Sequence, residues 1–141
     1  MSYRVVASED AVWRPSNVTG TLNTDLGRQL GATDLGARLW RFEPGQSSTR
    51  HRHYEQHELY IVLEGTGRVR VDGDLLTLAP LSALLVEPGT IRQVFNDTAA
   101  SALWLVVGAP AELANTLEMS EERLAFIYPD GPKALPPELG P

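Results

Sequence analysis

All three histidines of this 141-residue chain, His51, His53 and His57, fall within seven positions, with Glu55 and Glu58 among them. Neutral imidazoles and carboxylates are donors that borderline divalent cations accept. Side chains two apart on an extended strand share a face, so His51 and His53 can present two ring nitrogens to one point. After a turn, Glu58 opens the apolar run Leu59-Tyr60-Ile61-Val62-Leu63, which is expected to pair back beside the first segment. Two imidazoles and one carboxylate converging from adjacent strands make a three-ligand centre of facial type for iron(II), manganese(II), nickel(II) or zinc. His57, one residue before Glu58, is expected on the opposite face as a surface or rim group; a bulged turn would make it a further ligand. Tyr60 should share the Glu58 side and line the pocket. The absence of cysteine removes thiolate metal sites, disulfides and a cysteine nucleophile.

The segments that must carry these residues are short. Glycine (12) and proline (10) punctuate apolar runs of four to eight residues throughout, the pattern of an all-β sandwich or barrel. Strands are expected near 37–43, 49–53, 58–64, 67–71, 75–79, 83–87, 92–96 and 101–107. Asp72-Gly73-Asp74 is expected to supply the positive φ of a tight hairpin. The best helix candidate is 111–125, with Ser120 placed to cap a turn through Glu121-Glu122. Residues 129–141 hold five prolines and are expected to be extended or disordered. Trp13, Trp40 and Trp104 are expected to pack rather than to line a cavity. Gly65-Thr66-Gly67 lacks the downstream helix of a phosphate loop.

Length and charge bound the rest. One domain accounts for the whole chain. A formal charge of −6 disfavours nucleic acid and anionic membranes as partners. The longest apolar run, Ala102–Val107, is far short of a membrane span, and the early charges of the N-terminus do not suit a secretory signal. A soluble, cytoplasmic protein is expected.

The flanks of the histidines add specificity. Gly45-QSSTR-His51-Arg52-His53-YEQH-Glu58-LYIVLE-Gly65 resembles the first sequence motif of the cupins: glycine, five residues, His-x-His, four residues, glutamate, six residues, glycine. The resemblance runs from about Leu39 to Ala109. It implies an all-β fold, a single-domain double-stranded β-helix (a jelly-roll barrel) over 37–110. An N-terminal extension (1–36) and a C-terminal helical segment with a proline-rich tail (111–141) flank it. It further implies one site in the barrel mouth, a divalent metal held by His51, His53 and Glu58, and a homodimer formed by exchange of terminal strands.

The second cupin motif is degenerate. Aligned on Pro88-Gly89, the chain keeps Gly89 and Asn96, but has Leu81 for the first glycine, Glu87 for the proline, and Arg92 where the family has its further histidine. A guanidinium cannot ligate and brings a permanent positive charge. Either Arg92 swings out and leaves a three-ligand metal, or it pairs with Glu58 in a bidentate salt bridge that replaces the metal. The first arrangement implies a protein that binds a metal and a small, carboxylate-bearing molecule, with Arg92 and Tyr60 as substrate contacts and dioxygenase or isomerase chemistry. The second implies a metal-free, non-catalytic binding or sensing module built on Arg92.

Overall fold

A computed structural model describes residues 2–140. Among these residues, nine strands form two sheets. In chain order they are β1 (Trp13–Pro15), β2 (Leu22–Asp25), β3 (Gly36–Phe42), β4 (His57–Glu64), β5 (Gly67–Val71), β6 (Asp74–Leu78), β7 (Ala83–Val86), β8 (Arg92–Phe95) and β9 (Ala102–Ala109). The larger sheet runs β1-β2-β3-β9-β4-β7 and the smaller β6-β5-β8, with every pairing antiparallel. Alternate side chains of both sheets, Phe42, Tyr60, Val62, Val69, Val86, Val94 and Trp104, fill the core. The all-β jelly-roll expectation holds. The N-terminal residues add β1 and β2 to the edge of β3, followed by the short helix α1 (Leu26–Gln29).

Two turns show how the backbone is bent. β5 and β6 meet at Asp72-Gly73, and the positive φ (49°) falls on Asp72 rather than on the glycine. Asp72 is held there by Ile91: its N–H donates to Ile91 O (2.8 Å) and its carboxylate accepts from Ile91 N (3.2 Å). Before β7, Ala79-Pro80-Leu81-Ser82 closes with Ser82 N donating to Ala79 O at 3.1 Å. Leu81 sits at φ +69° and is 80% exposed. This is the third position of a type II turn, where glycine is favoured. The position that the second motif gives to glycine thus demands a left-handed backbone, and leucine adopts it under strain.

Three expectations are corrected. Residues 49–53 are not a strand: this stretch pairs with β8 through the single isolated bridge His51↔Arg92, and Ser47, just before it, makes another with Phe95. The helix is shorter than 111–125. α2 spans Glu121–Ile127 under the expected Ser120 cap, whose hydroxyl accepts from Arg123 N at 3.1 Å. Residues 111–115 are irregular, and the Glu112 side chain among them is bound to the 53–56 loop. The tail is packed rather than loose: Pro136 is fully buried, Ala134 O accepts from Gln93 Nε2 (2.9 Å), and Glu138 pairs with Arg70.

Candidate metal centre

The two sheets supply opposite walls of one site. Glu58 and Tyr60 project from β4 in the large sheet. His51 and Arg92 oppose one another across a closely bonded pair, His51 N to Arg92 O at 3.0 Å and Arg92 N to His51 O at 2.9 Å. That pairing carries both side chains inward. Glu58 therefore does not pair back beside 49–53; β4 pairs with β7 and β9 instead, and the candidate ligands meet across the barrel. The His51 and His53 rings lie 5.1 Å apart at 83°.

His51, His53 and Glu58 each offer a donor atom within 4.8 Å of the others. Glu58 Oε1 lies 3.1 Å from His53 Nε2 and 3.7 Å from His51 Nε2. These separations suit neighbouring ligands whose bonds to one ion are about 2.1 Å. The far side of each ring reinforces the fit. His51 Nδ1 is 2.9 Å from Thr49 O, which can only accept, so Nδ1 carries the hydrogen. His53 Nδ1 is 2.9 Å from Glu112 Oε2. In the neutral rings both Nε2 lone pairs then face a carboxylate oxygen, an arrangement that calls for a cation between them. The donor set present fits a divalent metal.

Arg92 stands beside this cluster with its side chain wholly buried. It neither swings out nor forms the expected bidentate bridge. Nη1 donates to Thr90 O (2.8 Å), Nε donates to Tyr60 Oη (3.3 Å), and Nη2 reaches only Glu58 Oε1, at 3.2 Å. That last contact is an ion pair off hydrogen-bond alignment, so Nη2 is a buried donor without a hydrogen-bond acceptor. Tyr60 Oη in turn donates to Glu58 Oε1 at 2.8 Å.

Burial and charge set the protonation states. Desolvation lowers His51 below the ordinary histidine range, helped by the positive charge of Arg92, although Glu58 opposes it. Burial alone would raise Glu58, but a proton carried on Nε2 of His51 or His53, in the place a metal cation would take, hydrogen-bonds to it and holds its carboxyl well below the usual range. Burial, followed by the Glu58 charge, pushes the Tyr60 phenol well up. At neutral pH the site therefore holds a neutral His51, an ionised Glu58 and a neutral Tyr60.

His57 is exposed at the start of β4, outside the three-ligand group. Glu112 is a contributor that sequence reasoning missed. It lies beyond β9 with nothing around it to suggest a partner, 59 positions from His53. The same end of the barrel carries α2. Arg52 N donates to Ile127 O (3.0 Å), Arg52 stacks on Phe126, and Phe126 stacks on Tyr54. The Tyr128 ring lies 6.4 Å from that of His51.

The family described as "Cupin domain" matches residues 38–108. Among solved structures, the chain is similar to a sugar phosphate isomerase of the cupin superfamily from Silicibacter pomeroyi. The two are 28% identical over 77% of this chain and 76% of that one, with a TM-score of 0.69. It shares its fold with a predicted oxalate decarboxylase from Thermotoga maritima (19% identity, 77% of this chain and all of that one, TM-score 0.67). The polyketide cyclase RemF from Streptomyces resistomycificus is likewise similar (19%, 88% and 92%, TM-score 0.69). No curated protein matches the sequence.

Proposed function

The chain belongs to the cupin family, and on that premise we propose that it binds one divalent cation through His51, His53 and Glu58 and presents it to a small, carboxylate-bearing molecule in the barrel mouth. The observation that carries this reading is the pair of outer oxygens, Thr49 O and Glu112 Oε2, each 2.9 Å from an Nδ1; accepting a hydrogen there, they leave two nitrogen lone pairs and a carboxylate oxygen facing one point. Iron, manganese, nickel and zinc all accept such donors. The ion supplies a Lewis acid for a bound carbonyl or hydroxyl oxygen.

The chain's own residues do the rest. Tyr60 orients Glu58 by donating to Oε1. Arg92 Nη2, buried and lacking an acceptor, is placed to donate to a ligand oxygen arriving beside Glu58 and to stabilise negative charge there. Isomerase and dioxygenase chemistries both use such a site, and the name of the similar Silicibacter pomeroyi protein favours the former. The molecule works in the cytoplasm, as a homodimer, with neither nucleic acid nor membrane as partner. Supporting the dimer, the outer face of the large sheet carries the apolar rows Ala37–Val107–Leu59–Leu85 and Leu39–Leu105–Ile61–Ala83, with Leu59 and Leu85 exposed.

A second reading rests on the Arg92–Glu58 ion pair: the guanidinium serves as the cation, and the site binds a carboxylate without metal. Elemental analysis of purified protein, before and after chelation, separates the two. The metal reading expects about one equivalent that chelation removes. The second expects none, together with thermal stabilisation by small carboxylates.

A further inference from the structure

Glu112 lies outside every motif above, yet it touches both a ligand and the loop between ligands. Its Oε2 faces His53 Nδ1 at 2.9 Å and Tyr54 N at 3.1 Å; its Oε1 faces Glu55 N at 2.8 Å and Gln56 N at 3.2 Å. Its side chain is only 8% exposed. Three of its four hydrogen-bond neighbours are backbone N–H groups, which can only donate, and the Arg123 guanidinium lies 3.9 Å from Oε2, so the carboxylate is fixed as an acceptor. The fourth neighbour, a ring nitrogen, can be either donor or acceptor. Beside an acceptor it must carry the hydrogen.

We propose that Glu112 is a positioning residue: it holds His53 with hydrogen on Nδ1 and thereby keeps the Nε2 lone pair aimed at the Glu58 side of the site. This deepens the metal-binding reading and rests on it for its purpose, although the tautomer itself does not require a metal. The three N–H contacts do a second job. They tie residues 54–56 between the ligands His53 and Glu58, so one carboxylate sets the orientation of the ring and the path of the loop.

Replacing the carboxylate by an amide of the same shape exposes the logic. In Glu112→Gln, the oxygen can sit in the Oε1 place and satisfy Glu55 and Gln56, leaving the NH2 group against Tyr54 N and His53. Reversed, the NH2 group meets two backbone donors that cannot adapt. The first placement is favoured because it sets the NH2 group against one fixed backbone donor, Tyr54 N, instead of two, and because His53 can change its tautomer. Nδ1 would then accept from the amide and Nε2 would carry the hydrogen towards Glu58, which blocks ligation.

The test is a two-dimensional 15N–1H correlation of the histidine rings at pH 8, on metal-free wild type and on Glu112→Gln, followed by titration of each with manganese and nickel. Expected are an Nδ1-protonated His53 in the wild type, an Nε2-protonated, Nδ1-bare His53 in the variant, and a metal affinity about 10- to 100-fold weaker in the variant. An unprotonated Nδ1 in the wild type overturns the proposal, and that result needs no variant to fold. So does a variant that keeps hydrogen on Nδ1. The tautomer change observed in a protein that binds neither metal would uphold the role of Glu112 and refute the metal reading instead.

Discussion

At the scale of single residues, the site is a balance of charges around one carboxylate oxygen. Glu58 Oε1 has Tyr60, Arg92 and the imidazoles of His51 and His53 about it, and Arg92 is the fixed cation among them. A dication must share that oxygen with a guanidinium 3.2 Å away, so Arg92→His is expected to tighten manganese and nickel binding by at least about tenfold, read by isothermal titration. The same change adds a nitrogen donor, while any carboxylate ligand should bind less well. Unchanged metal affinity would mean that Arg92 does not oppose the ion. The pH dependence follows from His51, whose folded pKa is lowered chiefly by burial. The unfolded chain takes up that proton first, so His51's contribution to metal-free stability is fully present above about pH 6.5. It is lost as pH falls through the lower folded value. Metal affinity should weaken over the same descent, because the proton and the ion compete for one lone pair. Urea unfolding and titrations at pH 7.5, 6 and 5 check both.

At the scale of elements, the turns and the tail decide what the sequence allowed to be read. The strands were legible because apolar runs between turn residues need few assumptions, and the ligand triplet because its three members lie within eight positions. Glu112 was not legible: its role depends on where β9 ends, and a helical pattern over 111–125 suited the local sequence equally well. The irregular path of 49–53 was not legible for a similar reason, since strand alternation and a single isolated bridge at His51 turn that ring inward alike. The proline-rich tail misled in the other direction. Proline excludes regular structure but not packing, and Pro136, Ala134 and Glu138 all find partners. Deleting 129–141 should therefore cost about 1–3 kcal/mol in urea unfolding, since it leaves buried Gln93 without its Ala134 acceptor and Arg70 without its acid; an unshifted midpoint would show the tail to be dispensable. Leu81→Gly should act oppositely, raising stability by about 1 kcal/mol as left-handed strain is relieved at an exposed position that donates only through its backbone.

At the scale of the whole molecule, the barrel spends its inner surface on the core and the site, and leaves an apolar outer sheet. A two-fold axis through Leu59 and Leu85 would bury like against like. Light scattering is expected to give twice the 15.4 kDa chain mass, and Leu59→Lys with Leu85→Lys should return it to one; a monomeric wild type would refute the dimer. The domain architecture, two sheets closing over His51, His53 and Glu58, has its most direct test in metal content. Wild type and the double variant His51→Ala, His53→Ala are purified in parallel, loaded with manganese or nickel, desalted, and analysed for bound metal, with circular dichroism to verify folding. About one equivalent in the wild type and none in a folded double variant is the expected result. Stoichiometric metal persisting in the double variant, or none in the loaded wild type, would contradict the assignment of these three residues as the centre.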